Sequence, residues 1–286
     1  IARTNSFNSC GLSKLIMHSF PDINLVIAHQ LEAEKLINLF SMERVESERY
    51  KLYRNSAGMK AIVSGMGFNN AKAATDYLAE IEERGDRVRA WLNIGIAGHQ
   101  SAVIGSCFTI NKITYKTSGV SSFPIQIFSD VPSIGLASVD NPELNYPGDV
   151  VYDMEAAGFW EGASKCVSIE FVQCLKIISD NKDHSIGKVT DELVLSLVEK
   201  NLQLIVKCCG QLQELVKDYN EILKLDSAFQ VLLNKLHFTV TQQNQLKRLC
   251  QRYRALGRDS ELEKIADLDF SSSNEALGLL SKGITI

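Results

Sequence analysis

Apolar residues arrive along this chain in two rhythms. Short unbroken runs, "INLVIA" (23–28), "MKAIVSGMG" (59–67), "VRAWLNIGIAG" (88–98) and "FVQCLKIIS" (171–179), predict buried strands. A strand covered on both faces has no polar side to show. The stretches between them change to helical spacing. "LEAEKLINLF" sets Leu31, Leu36, Ile37 and Phe40 on one face. "NNAKAATDYLAEIEERG" (69–85) carries a stripe of Ala71, Ala74, Leu78 and Ile81, with Asn69 or Asn70 to cap it and Gly85 to end it. "SCFTINKITY", "PIQIF" and "SIGLASV" predict further strands, and a helix is expected after Met154. Strands alternating with helices predict an α/β domain of parallel βαβ units, its helices layered on a central sheet.

The pattern changes near residue 189, after which no strand-like run returns. "VTDELVLSLVEKNLQLIVKCCGQLQELVKDYNEILKL" predicts one long helix, or two broken near Gly210. "SAFQVLLNKLH" and "QQNQLKRLCQRYRALG" predict two more, with a frayed end after "SSSNEA". The expected organisation is a lead-in over 1–21, an α/β domain over 22–210 and an all-helical appendage over 211–286.

Composition narrows the function. The 286 residues carry a formal net charge of −4, which makes no whole-chain case for nucleic acid or an anionic membrane. The seven cysteines form no C-x-x-C pair, so neither a zinc site nor a disulfide framework is expected, and a reducing compartment fits. No apolar run reaches the roughly 20 residues of a membrane span, and the N-terminus lacks the apolar core of a signal peptide. A cytoplasmic protein is expected. One basic helix face, with Lys247, Arg248, Arg252 and Arg254, lacks the interleaved aromatics of a base-stacking surface and reads as a solvated face.

Candidate chemistry gathers at strand exits, where ligands of open α/β sheets sit. "VVYDMEAAGFW" (150–160) hands a strand to a helix through Asp153, Met154 and Glu155. Helix capping is the plain reading of both carboxylates, and core filling that of Met154. Glu32 reads equally as a first-turn carboxylate, and Asp180 in "ISDN" as a turn cap. His29 and His99 have no partners at metal-ligand spacing, so no metal is expected.

Five segments in order alter that balance: "INLVIAHQLEAEKLI", "VSGMGFNNAKAA", "WLNIGIAGH", "VYDMEAAGFW" and "LKIISDN". Together they resemble the nucleoside phosphorylase and nucleosidase superfamily, nearest the methylthioadenosine/S-adenosylhomocysteine nucleosidases, over roughly 22–208. The resemblance implies a three-layer phosphorylase/hydrolase-like domain that cleaves a purine nucleoside at its N-glycosidic bond, without cofactor, as a homodimer. It implies that Glu32 activates water and Asp180 protonates the base, assisted by Ser179. It further implies that Glu155 holds the ribose hydroxyls, that Met154 walls the sugar, and that Ala97 and Gly98 let the ligand approach the backbone. Asn93 stands where phosphate-using relatives place an arginine, which favours water over phosphate as nucleophile. Three features depart from the pattern. Ile96 replaces a usual serine, Lys176 stands for an arginine, and the base-side segment 136–148 is short. A phosphate-dependent phosphorylase and a non-catalytic nucleoside-binding protein are the alternatives.

Overall fold

A computed structural model describes residues 20–82, 87–223 and 227–284. Most of the lead-in and Gly85 itself lie outside these residues, but the helix expected to stop at Gly85 already ends at Glu80, with Ile81 as its cap. By its contacts the chain divides into two compact units, one ending at Val216 and one running from Lys217 to Ile286.

The first unit is built on a mixed sheet. In chain order its strands are β1 (Ile23–Ile27), β2 (Glu43–Val45), β3 (Lys51–Arg54), β4 (Lys60–Val63), β5 (Ala90–Gly98), β6 (Cys107–Tyr115), β7 (Ser121–Ser122), β8 (Ser133–Ser138), β9 (Val151–Asp153) and β10 (Val172–Asp180). The spatial order is β10-β6-β8-β9-β5-β1-β4-β3-β2. A further pairing of β10 with β5 closes β5, β10, β6, β8 and β9 into a ring. Strands β1, β4, β5 and β10 run parallel, so their carboxyl ends meet at one edge. β1, β5 and β10 are buried at every position, with one exception at Ile96, as their unbroken apolar runs predict.

Helices α1 (Gln30–Leu39), α2 (Phe68–Glu80) and α3 (Ala156–Ala163) follow β1, β4 and β9. The small residues after Glu155 serve the α2–α3 contact. An ideal Cβ on Gly158 would stand 2.1 Å from the Phe68 carbonyl oxygen, and one on Gly162 would stand 2.9 Å from Thr75. Ala71, Ala74 and Leu78 join Trp91, Phe159 and Trp160 in the core beneath.

Several expectations need correction. Helix α2 starts at Phe68 with Gly67 as its cap, not at Asn69 or Asn70. Gly67 has φ +96°, which glycine alone adopts freely, and its N–H is held by Glu155 from 88 residues away. "PIQIF" forms no strand. Its carbonyls are met by side chains instead: Gln173 donates to that of Ile125, and Gln126 to that of Pro124. Of the two readings of the segment after residue 189, the single long helix holds: α4 runs unbroken from Asp191 to Leu223 through Gly210.

In the second unit lie α5 (Ser227–Lys235), α6 (Val240–Ala255), α7 (Asp259–Asp267) and α8 (Ser273–Ile284). Phe229, Leu232, Leu246, Tyr253, Leu262 and Leu280 form its core. The chain does not fray after "SSSNEA": α8 buries Ala276, Leu277, Leu280 and Ile284. Part of the basic face of α6 is paired, Arg254 donating to the Glu221 carbonyl and lying 3.4 Å from Asp259.

Candidate functional site

The parallel strand ends surround a cavity of about 300 Å³. Glu32, Ile96, Ala97, Gly98, Met154, Glu155, Ser179 and Asp180 all line it. The strand exits are thus brought together, as the topology of β1, β5 and β10 requires.

Glu32 fulfils its structural reading and faces the cavity as well. Its Oε2 accepts the His29 N–H at 2.9 Å, closing a capping box with the His29 ring, which accepts from Leu31 N–H. Its Oε1 accepts the Ile96 N–H at 2.8 Å. Burial raises its pKa above the ordinary carboxylate value, against the pull of the Ile96 N–H and the Lys176 charge. Ile96 has no side-chain hydroxyl to offer, but it gives its backbone amide to this carboxylate.

Glu155 and Asp153 divide the roles that the sequence left open. Asp153 does the capping: its Oδ2 accepts Ala156 N–H at 2.8 Å, and its Oδ1 accepts the Ser138 hydroxyl at 2.5 Å. Glu155 is the N-cap residue of α3 without capping it. Its Oε1 reaches across to Gly67 N–H at 2.8 Å. Burial, then the neighbouring Asp153 carboxylate, pushes Glu155 up to about 7.

Lys176 lies under this acidic group, 1% exposed, with its Nζ 2.8 Å from Asp153 Oδ2. Burial disfavours its charge, but Asp153 and Glu155 outweigh that and hold it above the usual lysine range. Gly95 leaves room for the arrangement: its ideal Cβ would stand 3.2 Å from Glu32 Oε1 and 3.4 Å from Lys176 Nζ. Lys176 is not on the cavity wall, nor is Asn93, which donates to the Val26 carbonyl inside the sheet. Among the described residues the wall carries carboxylates from Glu32, Glu143, Asp153, Glu155, Asp180 and Asp191, and no lysine or arginine. Such a lining repels anions.

Asp180 is 3% exposed. Its Oδ1 accepts the Ser179 hydroxyl at 2.5 Å, and its Oδ2 accepts the hydroxyl of Tyr146. Tyr146 belongs to the 136–148 segment that sequence reasoning tied to the base, but was not singled out there. Its ring and Asp180 fill the space over Gly98, whose ideal Cβ would stand 2.5 Å from Tyr146 Cε1. The small size of Gly98 therefore admits Tyr146. Both histidines have local structural roles through Nδ1: that of His29 caps α1, and that of His99 accepts two amides, from Ser101 and Ala102. Among the described residues no cluster of three or more His, Cys, Asp or Glu could hold a metal ion, and no helix is long and apolar enough to cross a membrane.

No protein-family model and no curated protein sequence matches the chain. Solved structures do. The Arabidopsis thaliana 5′-methylthioadenosine nucleosidase superposes with a TM-score of 0.55 at 17% identity, over 65% of this chain and 95% of that one. The Colwellia psychrerythraea methylthioadenosine/S-adenosylhomocysteine nucleosidase, solved with adenine, gives 0.53 at 17%, over 66% and 95%. A Helicobacter pylori nucleosidase variant solved with 5′-methylthioadenosine gives 0.52 at 14%, over 69% and 99%. Almost the full length of each matches about two thirds of this chain, so the chain has the fold of the methylthioadenosine/S-adenosylhomocysteine nucleosidases, with further residues beyond it.

Proposed function

We propose that the chain is a purine nucleoside nucleosidase. It hydrolyses the N-glycosidic bond of a methylthioadenosine- or S-adenosylhomocysteine-like substrate, and works as a homodimer. The observation that carries this reading is one cavity holding Glu32, Glu155 and Asp180 at three separate strand exits, with no lysine or arginine on its wall among the described residues.

Water attacks the anomeric carbon while Glu32 takes its proton. The bond from that carbon to the base nitrogen breaks, and its electron pair leaves with the purine. Asp180 supplies a proton to the purine, so a neutral base departs. Glu155 accepts from the ribose hydroxyls, and its charge favours the positive charge that builds on the sugar as the base leaves ahead of the arriving water. A base must be ionised to act. The raised pKa of Glu32 leaves it a stronger base than an exposed carboxylate.

The alternative nucleophile, phosphate, would meet six carboxylates. The nearest buried cation, Lys176, is already paired with Asp153. Thermal shifts provide a first test. Adenine and methylthioadenosine should raise the melting temperature, whereas adenosine monophosphate and inorganic phosphate should not. Stabilisation by phosphate at millimolar concentration would move the reading to a phosphorylase.

A further inference from the structure

We propose that Tyr146 is a positioning residue for the acid that protonates the leaving base; this rests on the nucleosidase reading above. Four observations converge on it. Tyr146 is 2% exposed although it sits in a loop between β8 and β9. Its hydroxyl meets Asp180 Oδ2, the oxygen that the Ser179 hydroxyl leaves free. Its backbone is left-handed, φ +44°, which a bulky side chain avoids without compensation. Its ring is packed edge-on against Tyr152, centroids 5.9 Å apart, and against Gly98.

These contacts fix the plane of the Asp180 carboxyl from both sides. They also decide what happens when the proton leaves. A protonated Asp180 has less use for two hydroxyl donors than a carboxylate has. Once the proton passes to the purine, Ser179 and Tyr146 each donate to one oxygen of the carboxylate that remains. The hydrogen bonds strengthen as charge develops, and only such bonds speed the chemical step. Burial first, then the bond to Asp180 and the charges of Asp180 and of Glu143 on the same loop, disfavour an ionised phenol, so Tyr146 stays a donor.

The test is Tyr146→Phe, which keeps the ring and removes the hydroxyl. With a purine nucleoside, kcat should fall about tenfold to a hundredfold, the worth of one hydrogen bond to a charged group, while KM changes less than threefold. With a ribosyl 4-nitrophenoxide, whose leaving group departs without a proton, the same variant should match the unmodified chain within twofold. In an Asp180→Asn background the substitution should cost nothing further, because Tyr146 acts through Asp180. A purely structural role would lower both substrates together and add to Asp180→Asn. That result, or an unchanged or faster purine release, overturns the proposal. If the unmodified chain releases no base from any nucleoside but cleaves the nitrophenoxide, or cleaves neither, the nucleosidase reading fails first and the proposal falls with it.

Discussion

Lys176→Met removes one ammonium group and almost no volume. In the folded chain it leaves the Asp153 carboxylate, whose side chain is 0% exposed, without its cation. Breaking a buried pair from one side costs about 3–5 kcal/mol, since the remaining charge stays desolvated. A typical domain has only about 5–15 kcal/mol in total. The loss should also depend on pH. Glu155 titrates at about 7 when folded, above its ordinary 4.5. Its contribution therefore favours the folded state below 4.5 and is lost as pH climbs towards 7. Lys176 pulls that pKa down. Without it the window of loss extends above 7, at about 1.4 kcal/mol for each unit of further rise. The variant's deficit should then be larger at pH 8 than at pH 5.5. Both tryptophans of the chain, Trp91 and Trp160, are buried in the first unit, so their fluorescence during urea unfolding reports that unit alone. Adding Asp153→Asn should recover part of the loss by removing the orphaned charge. A Lys176→Met chain as stable as the unmodified one at both pH values would refute the reasoning.

Two further substitutions separate packing from chemistry. Gly158→Ala should cost about 2–4 kcal/mol or prevent folding, because its Cβ meets backbone of α2 that no side-chain rotation can relieve; urea unfolding reads this. Glu32→Gln leaves one of its two amide donors, His29 or Ile96, without an acceptor and should cost about 1–3 kcal/mol in stability, yet slow base release about 10²–10⁴-fold as the loss of a general base does.

Much of the α/β unit was legible because its strands are buried on both faces, which leaves unbroken apolar runs, and because each of β1, β5 and β10 ends in recognisable small or acidic residues. The edge strand β2 and its neighbour β3 escaped notice, since "ERV" and "KLYR" carry too much polarity to stand out. "PIQIF" misled for the opposite reason: it has strand composition, but its carbonyls find side-chain donors instead of a neighbouring strand. Gly210 costs a helix about 1 kcal/mol, too little to break one of 33 residues. Among site residues, those on regular elements could be placed by pattern. The bond from Glu155 to Gly67 could not, because it joins residues 88 apart. Tyr146 was hidden for a similar reason. A single aromatic in a polar loop gives no periodicity, and only the fold shows that its hydroxyl ends on Asp180.

The most direct measurement is adenine release from methylthioadenosine in phosphate-free buffer, by the unmodified chain and by Asp180→Asn. Hydrolysis driven by Asp180 predicts release without phosphate, no gain when phosphate is added, and a loss of at least about 100-fold in a variant that keeps its melting transition. Release that requires phosphate, or release undiminished in Asp180→Asn, would contradict it.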